Sequence, residues 1–293
     1  MDSYQIIDLT SGVPDISIAM ITYNHEKFIA QSIESVLMQK TSYTYKMIIA
    51  EDKSTDETRK LLLDYQKRYP DRIKLILQNK NVGARENNVV LLSNLEGKYV
   101  AALECDDYWT DPFKLQKQID FLEENQNFVL CGHLVDKLNF NVKIEISEIL
   151  SQPLSFTQAD LFKNHIPTLS AVFRNKFNKI PEELSISPSG DFIIWSFLGQ
   201  FGDFYLMNEK MAVYREHQGG TWSGVSLVKK IKNSVITRQL ALSFVKDNRE
   251  TIIFNAKLSK SGAYQSLKNY DIVNFLFFTK QYLKNVFQIK TII

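Results

Sequence analysis

Apolar positions recur along the first hundred residues in two alternating patterns. From Ile16 to Thr22 the chain reads ISIAMIT, a near-continuous apolar run of strand length, which predicts a buried strand. Asn24 suits the start of a helix behind it, whose inward face is Ile29, Ile33, Val36 and Leu37 at helical spacing. A second strand, Lys46 to Ala50, runs into Glu51-Asp52-Lys53. There Ser54, with Glu57 three residues on, predicts a capping box, and Thr58, Leu61, Leu62, Tyr65 and Tyr69 form the buried stripe of a helix that Pro70 stops. Ile73 to Leu77 reads as a third strand, Asn79 to Gly83 as a turn, Ala84 to Leu95 as a third helix closed by Gly97, and Tyr99 to Leu103 as a fourth strand. Strands alternating with helices of this length predict an α/β fold with a mostly parallel sheet covered by helices on both faces. Such sheets take their ligands just outside the carboxyl ends of the strands.

Further along, Asp111-Pro112 starts a helix with Leu115, Ile119 and Leu122 inward, and Phe128 to Gly132 reads as another strand. Residues 140 to 190 lose the pattern and are punctuated by Pro153, Pro167, Pro181 and Pro188, so they are expected to form a loop-rich part of the same domain. After Gly224 the pattern turns helical and basic. The expected division is a catalytic domain over 1–224 and a helical C-terminal region over 225–293, where Ile272, Phe275, Leu276, Thr279, Leu283, Val286 and Phe287 share a face beside Lys280 and Lys284.

Charge changes this picture more than composition does. The 293 residues are 44% hydrophobic and 23% charged, an ordinary globular balance. The net charge of +2 divides unevenly: 12 Lys/Arg against 3 Asp/Glu from Val225 onward give +9 there and leave −7 for the rest. A basic tail suits nucleic acid, acidic membranes or acidic substrates. Nucleic acid is disfavoured, because the tail's aromatics lie on the apolar stripe and do not alternate with its lysines as stacking platforms. MDSYQIIDLT has no basic region leading into an apolar one, and no apolar run approaches the roughly 20 residues that cross a bilayer. A cytoplasmic location is therefore expected, with peripheral contact at the inner face of the membrane. Cys105 and Cys131 form neither a C-x-x-C pair nor a ligand cluster and read as core thiols.

Three polar clusters follow predicted strands directly: Thr22-Tyr23-Asn24, Glu51-Asp52 and Glu104-Cys105-Asp106-Asp107. Each has a bland reading taken alone: Asn24 as a cap, Glu51-Asp52 as the approach to a helix start, and Asp106-Asp107 as a solvated loop. Together they should converge on one edge of the sheet, which favours a shared ligand.

On these residues the chain resembles glycosyltransferase family 2, with its GT-A fold. The stretches that carry the resemblance are ISIAMITYNHEKFIAQSIESVLMQ, IIAEDKSTDET, NVGARENN, GKYVAALECDDYWTDPFKLQKQ and YREHQGGTWSG, in order, over roughly residues 14 to 224. The resemblance implies an inverting transfer of one sugar from a UDP- or dTDP-type nucleotide sugar to a hydroxyl of a glycan or lipid-linked acceptor, with Mn²⁺ or Mg²⁺ as cofactor. It implies that Asp106 is a metal ligand and that Glu104, where many relatives have Asp, faces the ribose or the metal's water shell. Asp107 would hold sugar hydroxyls. Asp52 falls at the family's base-reading aspartate, and Thr22, Tyr23, Asn24 and Glu51 would complete the nucleoside pocket, with Arg85 also on the donor. His217 would meet the metal or a phosphate and Arg215 would neutralise phosphate, with Gly219-Gly220 letting backbone approach closely. Asp191 occupies the position of the general base, although the residue also fits a helix N-cap ahead of Phe192 to Leu198.

Other readings are weaker. A sugar-phosphate nucleotidyltransferase needs a glycine-rich phosphate loop, and Thr22-Tyr23-Asn24-His25-Glu26 has no glycine. A non-catalytic nucleotide- or glycan-binding module would be expected to lack the metal or base carboxylates, yet Asp106, Asp107 and Asp191 are present. A processive synthase is disfavoured because Q-x-x-R-W does not occur. The basic amphipathic stripe fits an anionic membrane and packing on the main domain or a partner equally well.

Overall fold

The computed structural model describes residues 3–139, 143–145, 152–217, 225–245 and 249–292. Its first half follows the alternation of apolar runs: β1 (Tyr4–Ile7), β2 (Ile16–Thr22), α1 (Ile29–Leu37), β3 (Tyr45–Glu51), α2 (Thr58–Arg68), β4 (Ile73–Gln78), α3 (Ala84–Leu92), β5 (Tyr99–Ala102), β6 (Tyr108–Trp109), α4 (Lys114–Glu124) and β7 (Phe128–Asn139). There follow β8 (Lys143–Glu145), β9 (Leu154–Phe156), β10 (Val172–Arg174), α5 (Glu182–Ile186), α6 (Asp191–Leu198) and β11 (Asp203–Glu216). The chain then enters α7 (Leu227–Ala241), α8 (Arg249–Lys268) and α9 (Ile272–Ile292).

The strands form one sheet in the order β1-β4-β3-β2-β5-β10-β7-β11-β6, with β8 beside β7 and β9 beside β11. From the pairings, β4, β3, β2, β5, β7 and β11 share one direction, and β1, β10 and β6 run against it. The mostly parallel centre is thus as expected, although β10 was not: residues 140 to 190 were read as loop, yet Val172–Arg174 lies in the middle of the sheet, antiparallel to both β5 and β7. Three residues carry no period, so only their pairing defines them as strand.

Both sheet faces are covered. Ile16, Ile18, Met20, Met47 and Ile49 point to one side, with Ile29, Ile33 and Val36 of α1 and Leu115, Ile119 and Leu122 of α4. Ala19, Ile48, Ala50 and Ile76 point to the other, with Leu91 and Leu92 of α3 and Ile193, Ile194 and Trp195 of α6. Each fully buried aliphatic side chain contributes about 1.5–3 kcal/mol, so the two-sided burial accounts for the unbroken apolar runs of β2 and β3. Gly97 (φ +76°) turns the chain into β5, and a Cβ there would lie 2.2 Å from the Pro14 carbonyl oxygen, which no side chain can accept.

Helix starts differ from the expectation. α1 begins at Ile29, five residues past Asn24, and α2 begins at Thr58 with no side-chain cap from Ser54. Both polar groups are spent elsewhere, as the site shows. α3 ends at Leu92, short of the expected Leu95. The expected domain boundary at 224/225 abuts residues 218–224, which lie outside the described residues, as does the glycine pair Gly219-Gly220.

Candidate active site

The carboxyl ends of β2, β3 and β5 are laced together by backbone hydrogen bonds: Asp52 N–H donates to the Thr22 carbonyl at 3.1 Å, and Cys105 N–H to that of Ile21 at 3.2 Å. Two residues on this edge, Asn24 (φ 56°) and Lys53 (φ 57°), hold the left-handed conformation, which costs a non-glycine residue about 1–2 kcal/mol. For Asn24 the surroundings offset that cost. Its N–H donates to Ser54 Oγ at 3.0 Å and its Oδ1 accepts from Thr55 N–H at 2.8 Å, so it clamps the β2 loop to the β3 loop instead of capping α1. Ser54 is thereby taken from the expected capping box, and the Glu57 N–H donates across to Glu26 at 3.0 Å.

At the β5 end a tight turn, with Asp107 N–H donating to the Glu104 carbonyl at 3.0 Å, presents Asp106 to two imidazoles. Asp106 Oδ2 lies 3.0 Å from His217 Nε2 and 3.8 Å from His25 Nε2, and one potential ligand atom from each of the three lies within 4.8 Å of the others. Burial alone would push the Asp106 carboxyl up, but the His217 hydrogen bond and the charge of His25 hold it below the usual range. Burial pushes the His25 imidazole down, against the pull of Asp106, which favours the neutral ring that a metal needs. Two imidazoles and a carboxylate form a donor set that fits a first-row divalent ion. The rings of His25 and His217 pack around Phe28, with centroids 6.3 and 4.8 Å from it.

β11 delivers His217, and Arg215 fixes the delivery. Its N–H donates to Asp107 Oδ1 at 2.7 Å, its guanidinium donates to the Asp106 carbonyl at 2.6 Å and to the Gln31 side chain, and it stacks over Tyr108 at 4.3 Å. Arg215 and Asp107 are both buried, and their mutual hydrogen bond holds the turn against β11. Burial, with the charges of Asp106 and Glu104 added, raises Asp107 well above the ordinary carboxyl range. Glu104 is pushed up to about 8 by burial and then by Asp106, with Asp191 among the nearby charges, so it holds its proton near neutral pH.

At the other end of the edge, Asp52 accepts Val82 N–H on one oxygen and Gly83 N–H on the other, at 2.7 and 2.8 Å, just ahead of α3. It therefore sits at a helix N-terminus, that of α3, while each oxygen keeps a free lone-pair direction for a further donor. Burial outweighs these bonds and raises its carboxyl. Glu51 is buried and spent on the Arg59 guanidinium and the Ser54 N–H, so it braces the loop behind Asp52. Thr22 is buried at the end of β2, Tyr23 is exposed beyond it, and Arg85 is exposed in the first turn of α3. The order β3-β2-β5 puts Asp52 two inter-strand spacings, roughly 10 Å, from the β5 loop.

Asp191 opens α6, its Oδ1 accepting its neighbour's N–H at 2.7 Å. It is close enough to Glu104 and to Arg238 of α7 for its charge to act on both. Arg238 stacks over Phe192 at 4.3 Å, and burial holds its guanidinium down to about 10. The sequence reading missed His25, Phe28 and Arg238. His25 had a usable signal, its place one residue beyond Asn24 on the same edge, whereas Arg238 had none, because α7 lies far along the chain.

A mostly parallel α/β sheet with an acidic, histidine-bearing edge defines the class, and comparison with known proteins defines the family. A family model described as Glycosyl transferase family 2 matches residues 17–180. An uncharacterized protein of Mycobacterium tuberculosis is 35% identical over 214 residues, 71% of this chain, and the match spans only 60% of that relative's length. The putative teichuronic acid biosynthesis glycosyltransferase TuaG of Bacillus subtilis is 32% identical, with 71% of this chain and 81% of that protein covered. Among solved structures, S. aureus TarS (residues 1–349) in complex with UDP is similar at a TM-score of 0.62 and 19% identity, covering 83% of this chain and 70% of that one. The mannosyltransferase PcManGT from Pyrobaculum calidifontis, in complex with GDP-Man and Mn²⁺, is similar at 0.55 and 12%, covering 95% and 88%. The structural likenesses establish the GT-A fold. The chain belongs to glycosyltransferase family 2.

Proposed function

We propose that the protein is a metal-dependent, inverting glycosyltransferase that moves a single sugar from a UDP- or dTDP-type donor to a hydroxyl of a glycan or lipid-linked glycan, in the synthesis of a surface polysaccharide. The observation that carries the proposal is the His25, Asp106 and His217 cluster at the carboxyl edge of the sheet, two strand spacings from Asp52. That separation suits one ligand with a base at one end and a diphosphate at the other. The teichuronic acid name of one relative and the UDP and Mn²⁺ of two structural neighbours support the same reading.

In this reading Asp52 accepts the N3–H of uracil or thymine, a charge-assisted bond that orients the base. His25, Asp106 and His217 hold the cation, whose chemistry is Lewis-acid stabilisation of the departing diphosphate's charge. Glu104, beside Asp106 on the same turn, faces the ribose or a sugar hydroxyl in this reading. Asp191 takes the proton from the acceptor hydroxyl as its oxygen bonds to the anomeric carbon, while the bond to the phosphate oxygen breaks on the opposite face and the diphosphate leaves with the electron pair. One such carboxylate suffices for inversion.

A donor screen tests the proposal. Purified protein should bind UDP- or dTDP-sugars and release nucleoside diphosphate in the presence of Mn²⁺, with release lost on chelation. Failure of every donor to bind or be cleaved would defeat it.

A further inference from the structure

The C-terminal helices carry a surface outside the candidate site described above. α9 packs inward through Phe278, which is fully buried with Val228, Ile231 and Val235 of α7. It also packs on α8 at Gly262, where a Cβ would come within 2.6 Å of the Phe278 ring. Lys232 donates to the Asn274 side chain at 2.9 Å and Gln239 to that of Gln281 at 2.6 Å, fixing which side of α9 faces α7.

The opposite side is apolar and uncovered. Ile272, Leu276, Leu283 and Phe287 are 70%, 61%, 60% and 69% exposed. At 3.6 residues per turn these four fall within a wedge of about 60°, with Lys280 and Lys284 on its border, along a 21-residue helix roughly 30 Å long. Buried large side chains are the rule for such residues, and a contiguous exposed stripe marks an interaction site. From Thr251 to the end the chain has six lysines and one acid, Asp271.

We propose that the outward face of α9 docks on an anionic lipid surface, with the helix lying flat in the headgroup region. Both halves of the surface chemistry then find a partner: the Ile272–Phe287 wedge enters the acyl boundary, and the lysines beside it meet lipid phosphates. A second copy of the chain fits less well, because two such faces would bring their lysine rims together. Among the described residues no helix is long and apolar enough to cross a membrane.

The test is co-sedimentation of the full chain with vesicles of phosphatidylcholine alone and of phosphatidylcholine with phosphatidylglycerol. The wild type should bind the anionic vesicles, weaken as salt rises, and ignore the neutral ones. Lys280→Gln with Lys284→Gln should bind roughly 25-fold more weakly, about fivefold for each basic side chain near the surface, and Leu276→Glu with Leu283→Glu should abolish binding. Circular dichroism and nucleotide binding should be unchanged in both variants, since these residues are exposed and outside the nucleotide site. Equal binding to neutral vesicles, unchanged binding in the variants, or no wild-type binding would overturn the proposal. So would a wild-type dimer that the leucine variant dissociates, because the face would then be covered by a second copy.

Discussion

Asp52 and Asp106 both stand just beyond buried parallel strands on the same sheet edge, yet their surroundings shift their carboxyl groups in opposite directions. At the β3 end Asp52 meets only backbone donors, and burial raises its carboxyl. At the β5 end Asp106 meets two imidazoles, which hold it down against the opposing effect of burial. The difference teaches that position on the edge gives an acid access to ligand, whereas its neighbours decide whether that ligand is a hydrogen-bond donor or a cation.

Removing the proposed base should have the largest effect and leave both ends of the edge standing. Asp191→Asn is expected to lower turnover on the order of 10²–10⁴-fold, with donor binding by calorimetry unchanged. Equal turnover would remove Asp191 from the role. Asp106→Ala attacks the cation end and should cost roughly 10²–10³-fold in rate, together with Mn²⁺ dependence. A variant that stays fast and still responds to Mn²⁺ would place the cation elsewhere. Asp52→Asn attacks the nucleoside end. Losing a bond to a charged acceptor predicts a donor KM roughly 10–100-fold higher with kcat nearly unchanged, measured in initial-rate assays, and a fall in kcat alone would contradict the division of labour.

The smallest functional effect, and a stability effect of opposite sign, belongs to a buried charge with neither kind of neighbour. Lys114 is fully buried 4.1 Å over the Trp109 ring, its Nζ has no hydrogen-bond partner, and burial lowers it to about 7. Between pH 7 and 10.5 the unfolded chain binds a proton that the folded chain does not, so stability rises with pH across that window. Lys114→Met should therefore stabilise the protein by on the order of a few kcal/mol at pH 7 and below, with the gain shrinking toward pH 10.5 in denaturant titrations. A destabilised variant at neutral pH would show that the ammonium is matched by something in solution.

Periodicity made β2 to β5 and the helices between them legible, because each of those strands is buried on both faces and each helix on one, whereas the partly exposed edge strand β1 carried no such signal. The same pattern misplaced the starts of α1 and α2, since Asn24 and Ser54 have their strongest partners in each other's loops, not in the helices that follow them. β10 was invisible for a related reason: a three-residue strand is defined by β5 and β7, neither of which is near it in sequence. At the site, residue type and spacing placed Asp52 and Asp106 on a common edge but did not reveal the bonds among the site residues themselves. The bonds of Glu51 to Arg59, and of Arg215 to Gln31 and the Asp106 carbonyl, join residues far apart in sequence.

The central claim is that His25, Asp106 and His217 jointly hold the cation that meets the donor's diphosphate. Titration of Mn²⁺ by electron paramagnetic resonance, with and without UDP, examines it without relying on turnover. The account predicts that wild-type protein sequesters Mn²⁺ more tightly when UDP is present, that His25→Ala weakens this, and that Asp106→Ala abolishes it. Equal Mn²⁺ binding in all three proteins would contradict it.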